Sequence, residues 1–125
     1  MTLQEQLRAL IERNHSRLLD QIAILTGLLA ERDPEGMLGP APIIEAQHLT
    51  HQLRGAAGSI GFSEIGAAAA ALDESLKTLR EEGRAFPADQ LEPSLTFLAA
   101  LRRLAGETAP EASALYHADL AALPH

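Results

Sequence analysis

The chain has no cysteine and no tryptophan, and aromatics make up only 3% of its 125 residues. Without cysteine it has no disulfide, no thiolate metal site and no cysteine nucleophile, which suits a reducing compartment. Without aromatic bulk, Leu, Ile and Ala must pack the core. No apolar run approaches the ~20 residues that span a bilayer. The residues after Met1, Thr-Leu-Gln-Glu, lack the basic and apolar regions of a secretory signal. Positive charge is scarce as well, with 10 Lys and Arg against 17 Asp and Glu and a formal net charge of −7. That balance disfavours nucleic acid, whose binding rests on neutralising phosphates with Lys and Arg. It leaves protein partners open, because a local patch can differ from the total. There is no P-loop and no kinase-type Gly-rich loop, hence no signature of an ATP site. The expectation is one compact cytoplasmic domain over 1–125, with Met1 and the short flanks pointing to a free-standing protein.

The apolar spacing is helical almost throughout. Leu7, Leu10, Ile11, Leu18, Ile22, Leu25 and Leu29 keep one phase. A continuous helix from Leu3 to Arg32 would be about 45 Å long, so a break is expected at Asn14-His15-Ser16, where Asn and Ser favour an N-cap. Asp33-Pro34-Glu35-Gly36 ends this segment, and Pro42 suits the first turn of the next. Its stripe is Ala46, Leu49, Leu53, Ala56 and Ile60, and a stop falls between Gly58 and Phe62. Ser63 is the expected N-cap of a third helix, with a seam of Ile65, Ala69, Leu72, Leu76 and Leu79 that Gly83 terminates. A fourth starts at Pro87 or Asp89, carries Leu91, Leu95, Leu98, Leu101 and Ala105, holds Pro93 in its first turn and closes at Gly106. Pro110 to Leu123 reads as an added helix, anchored by Leu115 and Leu120, or a frayed tail. The architecture expected is all-α: an antiparallel up-down four-helix bundle with an N-terminal helical extension. Its core should cover about 16–106, with 107–125 as terminal helix or tail.

One histidine stands away from these stripes. At about 100° per residue, His51 lies almost opposite the apolar centre of its helix, with Gly58 in line and Arg54 and Gly55 within roughly 60° on either side. A glycine in an exposed helix interior costs about 1 kcal/mol relative to alanine, so two beside one imidazole suggest that something must come close to it. An imidazole is a nucleophile near neutral pH without a strong base.

His51-x-Leu53-Arg54-Gly55, followed by Ala56, Ala57, Gly58, Ser59, Ile60 and Gly61, resembles the histidine-containing phosphotransfer (HPt) domains of bacterial multistep phosphorelays. The resemblance implies a four-helix bundle in which His51 Nε2 accepts a phosphoryl group from a receiver-domain aspartate and passes it to another. It implies a covalent relay intermediate rather than an enzyme with its own ATP site. Its partners would be response-regulator receiver domains and a hybrid or upstream histidine kinase. No cofactor is expected on this chain, and Mg²⁺ would sit in the receiver's acidic pocket. Arg54 stands where the family usually has lysine; it keeps the charge that supports phosphate but changes the geometry. Gly55, Gly58, His48 and Gln52 would form the docking surface. Asp73 occupies a region where the family often carries an acidic or amide side chain near the histidine, and would orient the ring through Nδ1–H.

Plainer readings remain for the other polar residues. His48 lies three residues before His51, but a bundle metal site needs further ligands from facing helices and no cysteine cluster supplies them, so no metal site is expected. Gln47 and Thr50 are ordinary polar helix positions, and Gln47, like Gln52, borders the docking surface. His15, His117 and His125 have no motif around them and read as bystanders. A hydrophobic patch beside His51 would suit a receiver surface, with Phe62 and Ile65 undecided as contributors. A monomer is expected. The alternatives are an HPt-like module that binds or sequesters a receiver without covalent relay, and a dimerising phosphotransfer protein.

Overall fold

The computed structural model describes residues 2–117. Within them the chain forms four α-helices: α1 (Leu3–Ala30), α2 (Pro40–Ser59), α3 (Ser63–Glu82) and α4 (Glu92–Glu107). Short 3₁₀ turns at Ala88–Leu91 and Pro110–Ala112 precede and follow α4. Helices α2 and α3 run antiparallel, as two cross-helix pairs show, and α4 packs on α3. Gln47 meets Arg80 while His51 meets Asp73 across α2 and α3, and Ser75 meets Ser94 across α3 and α4. The expected helical bundle is therefore present.

The helix ends follow local chemistry. Thr2 and Glu5 form a reciprocal capping box at the start of α1. Beyond α1, Asp33 Oδ1 accepts from the Glu35 and Met37 amides, each at 2.9 Å, and turns the chain back. Leu38 and Phe86 then exchange both backbone hydrogen bonds at 2.9 Å, tying the α1–α2 and α3–α4 connections together. Helix α2 begins at Pro40, and Pro42 falls in its first turn as expected, where the missing N–H groups cost nothing. It ends in a Schellman motif: Phe62 N donates to Ala57 O at 2.9 Å and Gly61 N to Gly58 O at 3.3 Å, with Gly61 at φ 86°. Ser63 is the first residue of α3 rather than its cap, which is Phe62 without a side-chain bond. Helix α3 stops at Gly83 (φ 64°), while α4 runs through Gly106 to Glu107.

The break expected at Asn14-His15-Ser16 does not occur. Helix α1 is unbroken over 28 residues, and Asn14 Nδ2 donates to Leu10 O at 2.9 Å instead of capping a second helix. Asn costs a helix interior only about 0.7 kcal/mol. Burial of Ile11, His15 and Leu18 on both sides of it outweighs that. The buried face of α2 also differs from the expected stripe: it is Ile43, Ala46, Thr50, Leu53 and Ala57, with Ala56 exposed. Thr50 is fully buried and satisfies its hydroxyl by donating to Ala46 O at 2.6 Å. This face is centred between α1 and α3 because α2 packs against both. Phe62 and Ile65 are buried, so neither forms an exposed patch beside His51, and Leu10 of α1 is partly exposed. Leu38 and Phe86, which lie outside every helical stripe, complete the core.

The first turns of α1 overhang the bundle. From Leu3 to His15 the helix rises about 18 Å, and the chain after α4 folds back to cover it. His15 Nε2–H donates to Thr108 O at 3.0 Å, with its ring 5.5 Å from that of Phe62. His15 is thus a buried structural tie from the middle of α1 to the C-cap of α4. Arg8 Nε donates to Tyr116 O at 2.9 Å, and the Tyr116 hydroxyl donates to Glu12 at 3.1 Å. The Ser113 hydroxyl donates to Ile60 O, and Ala114 N to Gly61 O at 3.1 Å. Over 110–117 the terminal segment is neither the added helix nor the frayed tail expected of it. Ile11 is 1% exposed, so the core reaches further toward the N-terminus than residue 16. His117 is exposed against the Tyr116 ring. Leu120, Leu123 and His125 lie outside the described residues.

Candidate functional site

The site lies in the groove between α2 and α3. Residues one or two turns apart share a helix face, so Gln47, His48, His51, Arg54, Gly55 and Gly58 fall together along α2. Asp73, Lys77 and Arg80 do the same on α3. Small residues bring the two helices close: Gly66 of α3 packs its backbone against Gly58 and Arg54 O of α2. Side chains of ordinary length can then meet across the groove.

At its centre, His51 Nδ1 is 2.9 Å from Asp73 Oδ2. A carboxylate only accepts hydrogen bonds, so Nδ1 carries a proton, and in the neutral ring Nε2 keeps its lone pair. The His51 side chain is 69% exposed and that of Asp73 only 4%. The pair thus joins a displayed ring to a sunken anchor. Two more donors hold the carboxylate: Gln47 Nε2 reaches Oδ1 at 2.8 Å and Arg54 Nη1 reaches Oδ2 at 3.3 Å. Burial pushes the Asp73 carboxyl up. Hydrogen bonds from His51, Gln47 and Arg54, together with the charge on His51, outweigh it and hold the group below its ordinary value.

The sequence-predicted residues fall into two sets. His51, Arg54 and Asp73 are joined by hydrogen bonds. His48 and Gln52 are exposed and line the same shallow depression, without a bond to the ring. Gly55 and Gly58 are exposed, and a Cβ at either would meet nothing within 4 Å in this chain. Arg54 is shared with Glu74 of α3, at 3.4 Å. Four neighbours escaped the sequence reading: Gln47 as a ligand of Asp73, and Glu74, Lys77 and Arg80 along the rim. The spacing Asp73, Lys77, Arg80 at i, i+4, i+7 was the available signal for two of them.

Chemically, the arrangement displays a nitrogen nucleophile beside cationic groups on an uncluttered surface. Among the described residues no cluster of three His, Asp or Glu could hold a metal ion, and no helix is long and apolar enough to cross a membrane. Neither the curated proteins nor the solved structures include a significant match to the chain. The family model for the Hpt domain matches residues 2–109, which takes in all four helices and both sides of the groove. The chain therefore belongs to the Hpt domain family, the histidine phosphotransfer modules of phosphorelays.

Proposed function

We propose that this chain is a covalent relay intermediate in which His51 Nε2 takes the phosphoryl group from an aspartyl phosphate on one receiver domain and delivers it to the aspartate of another. The observation that carries this reading is the pairing of a tied Nδ1 with an outward Nε2, on a face that two glycines leave open. As the Nε2 lone pair forms the N–P bond, the P–O bond to the donor aspartate breaks and that aspartate leaves as a carboxylate. Nδ1 keeps its proton throughout, so positive charge develops on the ring and the Asp73 carboxylate beside it offsets that charge. The bonds of Arg54 to Asp73 and Glu74 are long for charge-assisted pairs, and its side chain is 43% exposed. The guanidinium is therefore free to turn N–H groups toward phosphoryl oxygens.

Gly55 and Gly58 give the clearance that in-line displacement between two proteins requires. His48 and Gln52 lie where a docked receiver would touch them. Mg²⁺ belongs to the receiver's acidic pocket in this scheme, and ATP is spent upstream by a kinase. The nucleophile and its anchor come from one chain, which supports action as a monomer. The cysteine-free composition supports a cytoplasmic setting.

The test is transfer from radiolabelled receiver domains to the wild type and to His51→Gln. Acid-labile, base-stable label on the wild type alone is the expected result. Receivers that bind the wild type without labelling it would replace the relay with a docking module. Label that survives in His51→Gln would move the acceptor elsewhere, and His48 would be tried first.

A further inference from the structure

The chain of contacts does not stop at Asp73. Gln47 lies one turn before His51 on α2, and Arg80 lies two turns beyond Asp73 on α3. Gln47 Nε2 donates to Asp73 Oδ1 at 2.8 Å, while its Oε1 accepts from Arg80 Nη1 at 2.7 Å. A carboxylate can only accept and a guanidinium can only donate. The Gln47 amide is therefore held in one orientation from both ends, because a flip would set oxygen against carboxylate and NH₂ against guanidinium. With Oδ1 taken by Gln47, the carboxylate cannot rotate freely, and Oδ2 is the oxygen left facing His51 Nδ1.

We infer that Gln47, oriented by Arg80, is a positioning residue: it pins the Asp73 carboxylate so that His51 holds its proton on Nδ1 and presents Nε2. Arg80 acts two contacts away from the ring, touching neither it nor Asp73. The need for this device follows from geometry. A lone carboxylate hydrogen-bonded to an exposed imidazole can swing about its Cβ–Cγ bond, a broad torsion. The ring's two neutral tautomers would then compete, and each moment with the proton on Nε2 is a moment without a nucleophile. Arg54 shares Oδ2 with His51 at a longer distance and is half-exposed, so it does not fix the carboxylate plane. Gln47, at 2.8 Å on the other oxygen, does.

The inference rests on the phosphotransfer reading for its purpose, but its test does not. Protein carrying ¹⁵N-labelled histidine rings reports by NMR which nitrogen of neutral His51 bears the proton. Gln47→Met keeps the length of the side chain and removes both hydrogen bonds. Arg80→Met leaves the amide present but free to flip, and Arg80→Lys restores a donor. The wild type is expected to show the Nδ1–H tautomer. Gln47→Met should show a mixture and transfer phosphoryl groups about tenfold more slowly, the loss of one hydrogen bond to a charged group. Arg80→Met should shift both readouts the same way by less, and Arg80→Lys should recover them. Arg80 is on the surface, so its variants remain informative should Gln47→Met fold poorly. A shifted tautomer bears out the pinning even in a protein that takes no label, an outcome that sinks only the phosphotransfer reading. A wild-type tautomer in both Gln47→Met and Arg80→Met overturns it, whatever the labelling shows.

Discussion

His51 and His15 are the same side chain put to opposite uses at different places in the bundle. His51 ties Nδ1 to a buried carboxylate and leaves Nε2 outward. His15 ties Nε2 to the Thr108 carbonyl and, at 8% exposure, turns its ring against Phe62. Both nitrogens belong to α-helices and both bonds are about equally short. What separates the proposed nucleophile from the structural tie is which nitrogen is engaged and what covers the rest of the ring. At His51 glycines keep the surface bare, whereas at His15 the segment after α4 closes over it. The glycines repeat the contrast: Gly55 faces open space, while Gly61 sits at φ 86° with the Ala114 amide 2.8 Å from where a Cβ would be.

Exchanging the two histidines' fates should give the largest effect. His51→Gln is expected to abolish phosphoryl labelling while the protein stays folded, its unfolding free energy lower by about 1–2 kcal/mol for the lost hydrogen bond to Asp73. Loss of the fold in that variant would contradict the surface role. Bulk is next: Gly55→Leu should slow transfer from a cognate receiver by about a hundredfold through lost approach. Gly55→Ala should stabilise the helix by about 1 kcal/mol. Denaturation curves and transfer rates measured on the same samples would show stability and function moving apart.

At the covered end the effect should fall on stability alone. Gly61→Ala forces a left-handed residue and a backbone collision, with an expected loss of about 2 kcal/mol or more. His15→Ala should cost about 2 kcal/mol through lost packing and an unmet carbonyl. Transfer rates at temperatures well below unfolding should be those of wild type in both, and a rate deficit there would erase the contrast between the two ends.

The smallest effect is a pH slope. The Asp73 carboxyl is held below its ordinary value of 3.8, so the folded state releases that proton more readily than the unfolded chain. Its contribution to stability is therefore complete above the ordinary value and disappears as pH falls through the lowered one. Thermal unfolding followed through the acidic range should show that slope in the wild type and a flatter one in Asp73→Asn. Identical slopes would mean that the groove does not favour the ionised carboxylate.

Local sequence was enough for the helices, because their evidence is periodic. A run of Leu and Ile every three or four residues needs no partner to be read, and neither does a glycine closing α3. The displayed histidine was legible for the same reason: His51, Arg54, Gly55 and Gly58 share one face of one helix. Asp73 was reached only through family resemblance, since nothing in the spacing of α3 says which residue of α2 it meets. Gln47 and Thr50 were misjudged by the same rule. Thr50 lies at the edge of the expected stripe yet inside the observed buried face, and Gln47 lies at the edge of that face beside the groove.

What the sequence determined by itself was the set of helices and the exposure of one imidazole among glycines, both functions of the 3.6-residue turn. Tertiary structure decided which nitrogen of that ring is free, since the carboxylate that takes the other comes from a different helix. It also decided that α1 runs unbroken through Asn14, because packing on both sides exceeded a weak local preference. And it placed His15, which has no motif around it, in the core, because the chain after α4 returns to cover a part of α1 in a way that local periodicity does not reveal.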